Sequence, residues 1–145
     1  MRRPFPALAL AAALAASGCA SRPPERDAAA LFHDLGGMPG IERIVSGMVD
    51  RSTADPRVAW AFDNSNHERL KRLISQQFCN LSGGPCPGRE RGMGPAHRHL
   101  GLAERDFNAV VENLQDSMDA AGTPFRAQLR LLRLLAPMKR EIVTG

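Results

Sequence analysis

Apolar side chains recur at helical spacing along most of this chain, and that spacing restricts the fold more than any other feature. The clearest case is MPGIERIVSGMVDRS, whose apolar residues fall at i, i+3, i+4, i+7 and i+8: Ile41, Ile44, Val45, Met48 and Val49. They form one face of an α-helix, and Pro39 lies in its first turn, where proline is tolerated. No stretch alternates apolar and polar residues at period two, so the sequence predicts an all-α domain.

A short helical turn and a longer helix are predicted on either side of an irregular stretch. The turn covers residues 28–35 and ends at paired glycines. The longer helix begins at a capping box formed by Ser65 and Glu68 and runs to about Asn80. Its apolar face is formed by residues spaced four apart: Leu70, Ile74 and Phe78.

Two more helices are predicted after a central loop. The first ends at Gly122, in the position of a C-cap glycine. The second starts with Thr123 as its cap and Pro124 in its first turn, and Pro137 kinks it near its end. Their apolar faces carry Phe107, Val110, Val111, Leu114, Met118 and Ala121, then Leu131, Leu132, Leu135, Met138 and Ile142.

The first twenty residues have the parts of an export signal. Arg2 and Arg3 form a basic start, residues 8–16 are apolar but too short to span a bilayer, and small residues precede Cys19. The letters LAASGC resemble the lipobox of bacterial lipoproteins, whose cysteine is diacylated and becomes the mature N-terminus. The resemblance implies lipidation at Cys19; an ordinary cleaved export signal is the alternative.

These features divide the chain into a signal peptide at residues 1–18, a polar tether at residues 19–27 and one domain at residues 28–145. The lipoprotein resemblance implies an exported protein that its lipid anchors to the membrane at the periplasmic face. Ser21 stands where an aspartate retains lipoproteins in the inner membrane, so the outer membrane is the expected location.

The net charge gives little support for a nucleic-acid partner. Removing residues 1–18 lowers the formal charge from +4 to +2, because two arginines and no acids are lost. The remaining charges are mixed in sign, without a block of lysine and arginine or interleaved aromatic residues. No nucleic-acid binding is therefore expected.

The two other cysteines, Cys79 and Cys86, lie seven residues apart, at a helix end and in the following loop. An exported protein meets conditions that permit disulfides, and a bridge here would tie down the loop. Two free thiols are the alternative. A Cys/His zinc site is not expected, because CxxC pairs and the usual spacing to histidine are both missing.

The loop from Gly83 to Leu102 is rich in glycine and proline and carries His97 and His99. Each histidine is a candidate metal ligand or an ordinary surface residue. The chain contains six Phe, one Trp and no Tyr, so a four-helix core has few aromatic side chains to fill it. A bound apolar cofactor would complete such a core. A plain bundle filled by Leu, Met and Ala fits the same periodicity.

From Leu31 to about Val143 the chain resembles the group I truncated globins, in which a shortened globin fold packs two helices over two around a haem. The resemblance rests on LFHDLGGMPGIERIV, DPRVAWAF, RLKRLISQQFCNLSGGP, MGPAHRHLGL and LLRLLAPMKREIV. It covers nearly the whole chain after the tether. It implies a two-over-two helical sandwich with haem b as the cofactor.

The resemblance also assigns roles to single residues. His97 matches the proximal histidine that ligates haem iron, and Met93, one turn earlier, would pack against the haem. Phe62 and Phe78 match aromatic residues of the haem pocket, although both would also serve as ordinary core residues. His99 lies two residues after His97 and must point elsewhere on a helix.

The distal positions depart from the family pattern. Group I members usually place a tyrosine late in the second helix, often with a glutamine on the next, to donate hydrogen bonds to bound dioxygen. The matching positions, expected to contact the haem, hold Val49, Leu70 and Ile74. A missing donor costs about 1.5–3 kcal/mol, or roughly tenfold or more in oxygen retention. Gln77 or His67 could replace it, and each otherwise fits a solvated helix flank.

Taken together, the sequence favours a membrane-tethered haem protein that binds O2, CO or NO, with CO and NO favoured by an apolar pocket. A redox partner is left open. The alternative is a haem-poor helical lipoprotein that serves as a scaffold for protein interaction. No acid/base pair or activated nucleophile is evident, so the sequence gives no basis for an enzymatic activity. Redox chemistry of the haem with NO or peroxide stays open.

Overall fold

The computed structural model of the protein describes residues 30–88 and 92–145. The predicted signal peptide, Cys19 and the tether lie outside these ranges. Every regular element within them is a helix, which confirms the predicted all-α class. In this part of the chain, no helix combines the length and the hydropathy needed to cross a membrane.

Helical residues 30–34 come first and six α-helices follow in the described ranges. They are α1 (Gly37–Ala54), α2 (His67–Leu81), α3 (Gly94–His97), α4 (Glu104–Ala120), α5 (Phe125–Leu135) and α6 (Lys139–Ile142). Short 3₁₀ turns lie between them at Ala59–Phe62, Arg98–Leu100 and Ala136–Met138.

Helix α1 is central, because it packs against both α2 and α4. Gly36 and Gly37 lead into it with φ angles of 84° and 64°, which glycine adopts without steric cost. The apolar residues picked out by helical spacing are all buried in this helix: Ile41, Ile44, Val45, Met48 and Val49. The prediction for this helix and its buried face is confirmed.

The hydrophobic core joins α1 to every long helix around it. Each large side chain fully buried here stabilises the fold by about 1.5–3 kcal/mol. The core consists of Leu31, Leu35, Ile41, Ile44, Val45, Met48, Val49, Phe78, Cys79, Leu114, Met118, Ala127 and Leu131.

The predicted capping box at the start of α2 is wrong. Asn66 caps the helix instead, because its Oδ1 accepts a hydrogen bond from the Arg69 N–H at 2.8 Å. Ser65 Oγ donates to the Phe62 carbonyl at 2.8 Å and so closes the preceding 3₁₀ turn. Asparagine and serine are equally good caps. Because the Ser65 hydroxyl is used in the turn, Asn66 caps the helix.

The boundaries of the last helices are mostly as predicted. Gly122, with a φ of 69°, follows α4 and donates its N–H to the Asp119 carbonyl at 2.9 Å. The prediction that Thr123 caps α5 is wrong, because Pro124 is at the N-cap and no side chain caps this helix. Pro137 interrupts the helix as predicted, since α5 ends before the 3₁₀ turn that contains it.

Candidate functional site

A cavity in two adjoining parts, each of about 190 Å³, lies between α2, α3, α4 and the C-terminal helices. Both parts are lined by Ile74, Ala96, His97, Phe107, Val110, Val111 and Ile142. The first part is also lined by Val58, Ala61, Phe62, Ser65, Leu70, Leu100, Leu102 and Asp106. The second is also lined by Met48, Gln77, Phe78, Gly92, Met93, Leu114, Leu135 and Met138.

His97 ends helix α3, is half-buried and lines both parts of the cavity. Its Nδ1 lies 2.8 Å from the carbonyl oxygen of Met93. Because a carbonyl oxygen can only accept, Nδ1 carries the proton of the neutral ring and Nε2 keeps its lone pair. An imidazole held in this way is prepared to ligate a metal ion through Nε2.

A disulfide between Cys79 and Cys86 joins the end of α2 to the loop that leads to His97, with the Cα atoms 5.9 Å apart. The sequence left this bridge open, and the structure contains it. Two hydrogen bonds support the same loop: Gly84 N–H donates to the Cys79 carbonyl at 2.8 Å, and Asn80 Nδ2 donates to the Cys86 carbonyl at 3.4 Å. The beginning of the loop is thereby fixed to one wall of the cavity.

The structure brings most of the other predicted site residues to the same cavity. Phe62 and Leu70 line its first part, and Phe78 and Met93 line its second part. Ile74 lines both. These residues come from the 3₁₀ turn at Ala59–Phe62, from α2 and from the residue before α3, so the fold assembles them from distant positions in the chain.

Val49 and His99 lie elsewhere. Val49 is fully buried in the core, and its neighbour Met48 lines the second part of the cavity in its place. A contact between Val49 and a cofactor stays a prediction. His99 is exposed in the 3₁₀ turn Arg98–Leu100 and does not line the cavity. This agrees with the sequence, because residues two positions apart point to different sides of a helix.

The two side chains considered as replacement donors differ in position. Gln77 lines the second part, where its Nε2 lies 3.2 Å from Met138 Sδ and 3.8 Å from Met93 Sδ. His67 is exposed, and its Nε2 lies 3.3 Å from the Phe62 carbonyl oxygen. Gln77 therefore reaches the cavity on the side of Met93, and His67 does not line it.

Two polar residues of the first part were not recognised from the sequence. Asp106 is buried there, and its Oδ2 accepts a hydrogen bond from the Ala103 N–H at 2.9 Å, which closes the first turn of α4. Its sequence signal was an acid in the first turn of a helix. Ser65 is the other, and its hydroxyl is bound to the Phe62 carbonyl. Both side chains are therefore engaged with backbone groups.

The side chains of the cavity that could ligate a metal suit an ion whose other ligands come from an organic ring. The described residues contain no group of three or more His, Cys, Asp or Glu side chains that could bind a bare ion. One imidazole beside largely apolar walls would suit a metal ion held in a macrocycle. The two parts, of about 190 Å³ each, together reach the lower end of the range of about 300–1,000 Å³ that small-molecule sites occupy.

Comparison with known families and proteins points in one direction. The family described as bacterial-like globin matches residues 30–144. Group 1 truncated hemoglobin GlbN of Mycolicibacterium paratuberculosis (strain ATCC BAA-968 / K-10) is 31% identical over 117 residues, which are 81% of this chain and 86% of that protein. Group 1 truncated hemoglobin of Tetrahymena thermophila is 29% identical over 92 residues, covering 63% and 76% of the two chains.

Solved structures show the same fold. The truncated hemoglobin of Tetrahymena pyriformis in the Fe(III) form has a TM-score of 0.74 at 21% identity, covering 79% of this chain and 98% of that one. The 2/2 hemoglobin of Synechococcus sp. PCC 7002, in the cyanomet state and with covalently attached heme, has a TM-score of 0.73 at 21% identity. Nearly all of each solved chain is matched, so the described part of this chain shares their fold.

Proposed function

Because the chain belongs to the bacterial-like globin family and is a truncated globin, we propose that it holds its haem cofactor beside His97 and binds small diatomic gases there. The observation that carries this proposal is the position of His97, which lines both parts of the cavity with Nδ1 bound to the Met93 carbonyl. His97 Nε2 would ligate the haem iron, and the bound iron would supply the site for O2, CO or NO.

The chain orients the imidazole from two sides. The hydrogen bond to Met93 fixes the rotation of the His97 ring and keeps the proton on Nδ1. The disulfide holds the beginning of the loop that carries this histidine. A ligand fixed before the cofactor arrives loses less conformational entropy on binding, so these contacts favour tight retention of the haem.

The cavity walls are largely apolar and offer few polar groups. In the first part, the described polar side chains other than His97 are Ser65 and Asp106, and both are engaged with backbone groups. Leu70 and Ile74 stand where family members often place hydrogen-bonding side chains. We infer an apolar distal pocket that retains O2 less well, by about 1.5–3 kcal/mol, than a pocket with a donor. Binding of CO and NO depends less on such a donor, so this pocket favours both ligands over O2.

The location of the protein is a separate proposal. The lipobox-like LAASGC supports an exported lipoprotein that is anchored through Cys19 on the periplasmic face, where a redox partner would meet the haem. Labelling cells with a radioactive fatty acid tests this directly. The label should enter the wild-type protein and be absent from Cys19→Ser, and equal labelling of both would exclude the anchor.

Rescue by free imidazole tests the role of His97. The chain from Ala20 onward, carrying His97→Gly, should bind haem weakly. Free imidazole should occupy the space left by the His97 side chain and restore the ferrous spectrum of the wild type. His99→Gly is the matched control and should keep the wild-type spectrum without imidazole. If His97→Gly binds haem as the wild type does, His97 is not the ligand.

A further inference from the structure

Glu141, in the terminal helix α6, reaches across to the start of the helix that carries His97. Its Oε2 accepts hydrogen bonds from the backbone N–H of Met93 at 2.8 Å and of Gly94 at 3.3 Å. Glu141 and Met93 are 48 residues apart in the chain. The contact therefore ties two distant segments together at the ligand helix.

Helix α3 needs such a contact because it cannot complete itself. It has four residues, and no side chain at its own N-cap accepts a hydrogen bond. The first N–H groups of any helix lack partners within the helix, and a single isolated turn is unstable in water. Oε2 of the Glu141 carboxylate accepts from two of these N–H groups.

Met93 links Glu141 to His97 through its two backbone groups. Its N–H donates to Glu141, and its carbonyl accepts from His97 Nδ1 at 2.8 Å. The approach of the carboxylate is close, because a Cβ added at Gly92 would lie 2.5 Å from Glu141 Oε2. The glycine allows the loop to pass beside the carboxylate.

We propose that Glu141 is a positioning residue for the haem ligand: it caps helix α3 and so fixes the Met93 carbonyl that orients His97. The proposal rests on haem binding at His97 as proposed above. Glu141 faces solvent, so water screens its charge. It acts through the geometry of its two hydrogen bonds, and an uncharged acceptor of the same shape replaces it.

The rate of haem loss separates the variants. Glu141→Ala removes both hydrogen bonds, and transfer of hemin from this variant to an excess of a haem-scavenging protein should be faster by about tenfold. Glu141→Gln keeps an acceptor oxygen at the same reach, so its rate should stay within about threefold of the wild type. A broadened iron–histidine band in the ferrous Raman spectrum of Glu141→Ala should accompany the faster loss.

Glu104→Ala is the matched control. Lys139, at the start of α6, forms an ion pair with Glu104, so this variant loosens α6 from α4 without touching the N–H groups of α3. Its haem loss should remain close to that of the wild type. Equal acceleration in Glu104→Ala and Glu141→Ala, or an unrescued Glu141→Gln, would overturn the proposal.

Measurements on the haem-free chain distinguish failure of this inference from failure of the proposed function. Amide exchange at Met93 and Gly94, followed by NMR, should accelerate in Glu141→Ala and not in Glu141→Gln. If wild-type protein holds no hemin, the proposed function fails, and amide exchange still tests the cap. A different result would overturn this inference alone: the wild type holds hemin, His97→Ala does not, and Glu141→Ala loses hemin at the wild-type rate.

Discussion

Helices α1 and α4 cross at Gly47 and Ser117, and an added methyl group at Gly47 should disturb this crossing. A Cβ at Gly47 would lie 2.2 Å from Ser117 Oγ and 3.1 Å from Arg51 Nη1. The arginine tip can move aside. The buried hydroxyl is held in place, because it donates to the Ile44 carbonyl at 2.7 Å.

The size of the effect follows from two opposing contributions. Overpacking costs about 1–3 kcal/mol, and replacing glycine by alanine inside a helix gains about 1 kcal/mol. Gly47→Ala alone should therefore lower the free energy of unfolding by up to about 2 kcal/mol. In a Ser117→Ala background the nearest Ser117 atom is Cβ at 3.4 Å, so the same change should stabilise the protein by about 1 kcal/mol.

Urea unfolding of the four haem-free proteins measures this double-mutant cycle. The expected coupling between the two substitutions is about 1–3 kcal/mol. Gly47→Ala should destabilise the wild-type protein and stabilise the Ser117→Ala variant. Because Met48 and Leu114 line the second part of the cavity, haem affinity should fall in Gly47→Ala and recover in the double variant. If Gly47→Ala has the same effect in both backgrounds, within about 0.5 kcal/mol, the crossing is not packed as described.

Three further predictions follow from the site and its surroundings. Ile74→Gln should slow O2 release from the ferrous protein about tenfold or more in stopped-flow experiments, with little change for CO; equal O2 rates would contradict the apolar distal pocket. Reducing the Cys79–Cys86 disulfide should lower the free energy of unfolding by about 2.5 kcal/mol, measured in urea, and a variant with both cysteines changed to serine should not respond to the reductant. The Arg57 side chain, hydrogen-bonded to Asp55, holds the pKa of that carboxyl below its ordinary value of 3.8. The resulting stabilisation is present above pH 3.8 and is lost as the pH falls below it, so Arg57→Gln should flatten the acid limb of an unfolding titration.

The long helices were predictable because each buries one face, and burial every three to four residues leaves a direct trace in the sequence. The face of α1 is the clearest example. The cap of α2 could not be chosen in the same way, since Ser65 and Asn66 are adjacent and equally suitable. Only the 3₁₀ turn that ends at Phe62 shows that the serine hydroxyl is already used.

The site was predictable where a local pattern or the family resemblance marked it. Periodicity alone does not separate His97 from His99; the resemblance chose His97, and the structure places it in the cavity wall. Asp106 and Glu141 carried no comparable signal. Their roles depend on which segments meet in space, as with Glu141 and a backbone N–H 48 residues away.

The visible absorption spectrum of the chain from Ala20 onward, titrated with hemin beside its His97→Ala variant, tests the central claim most directly. A haem-binding truncated globin predicts a sharp Soret band that saturates at one hemin per chain and is lost or shifted in His97→Ala. Loose binding that is equal in both proteins would contradict the account. It would favour a helical scaffold that works without haem.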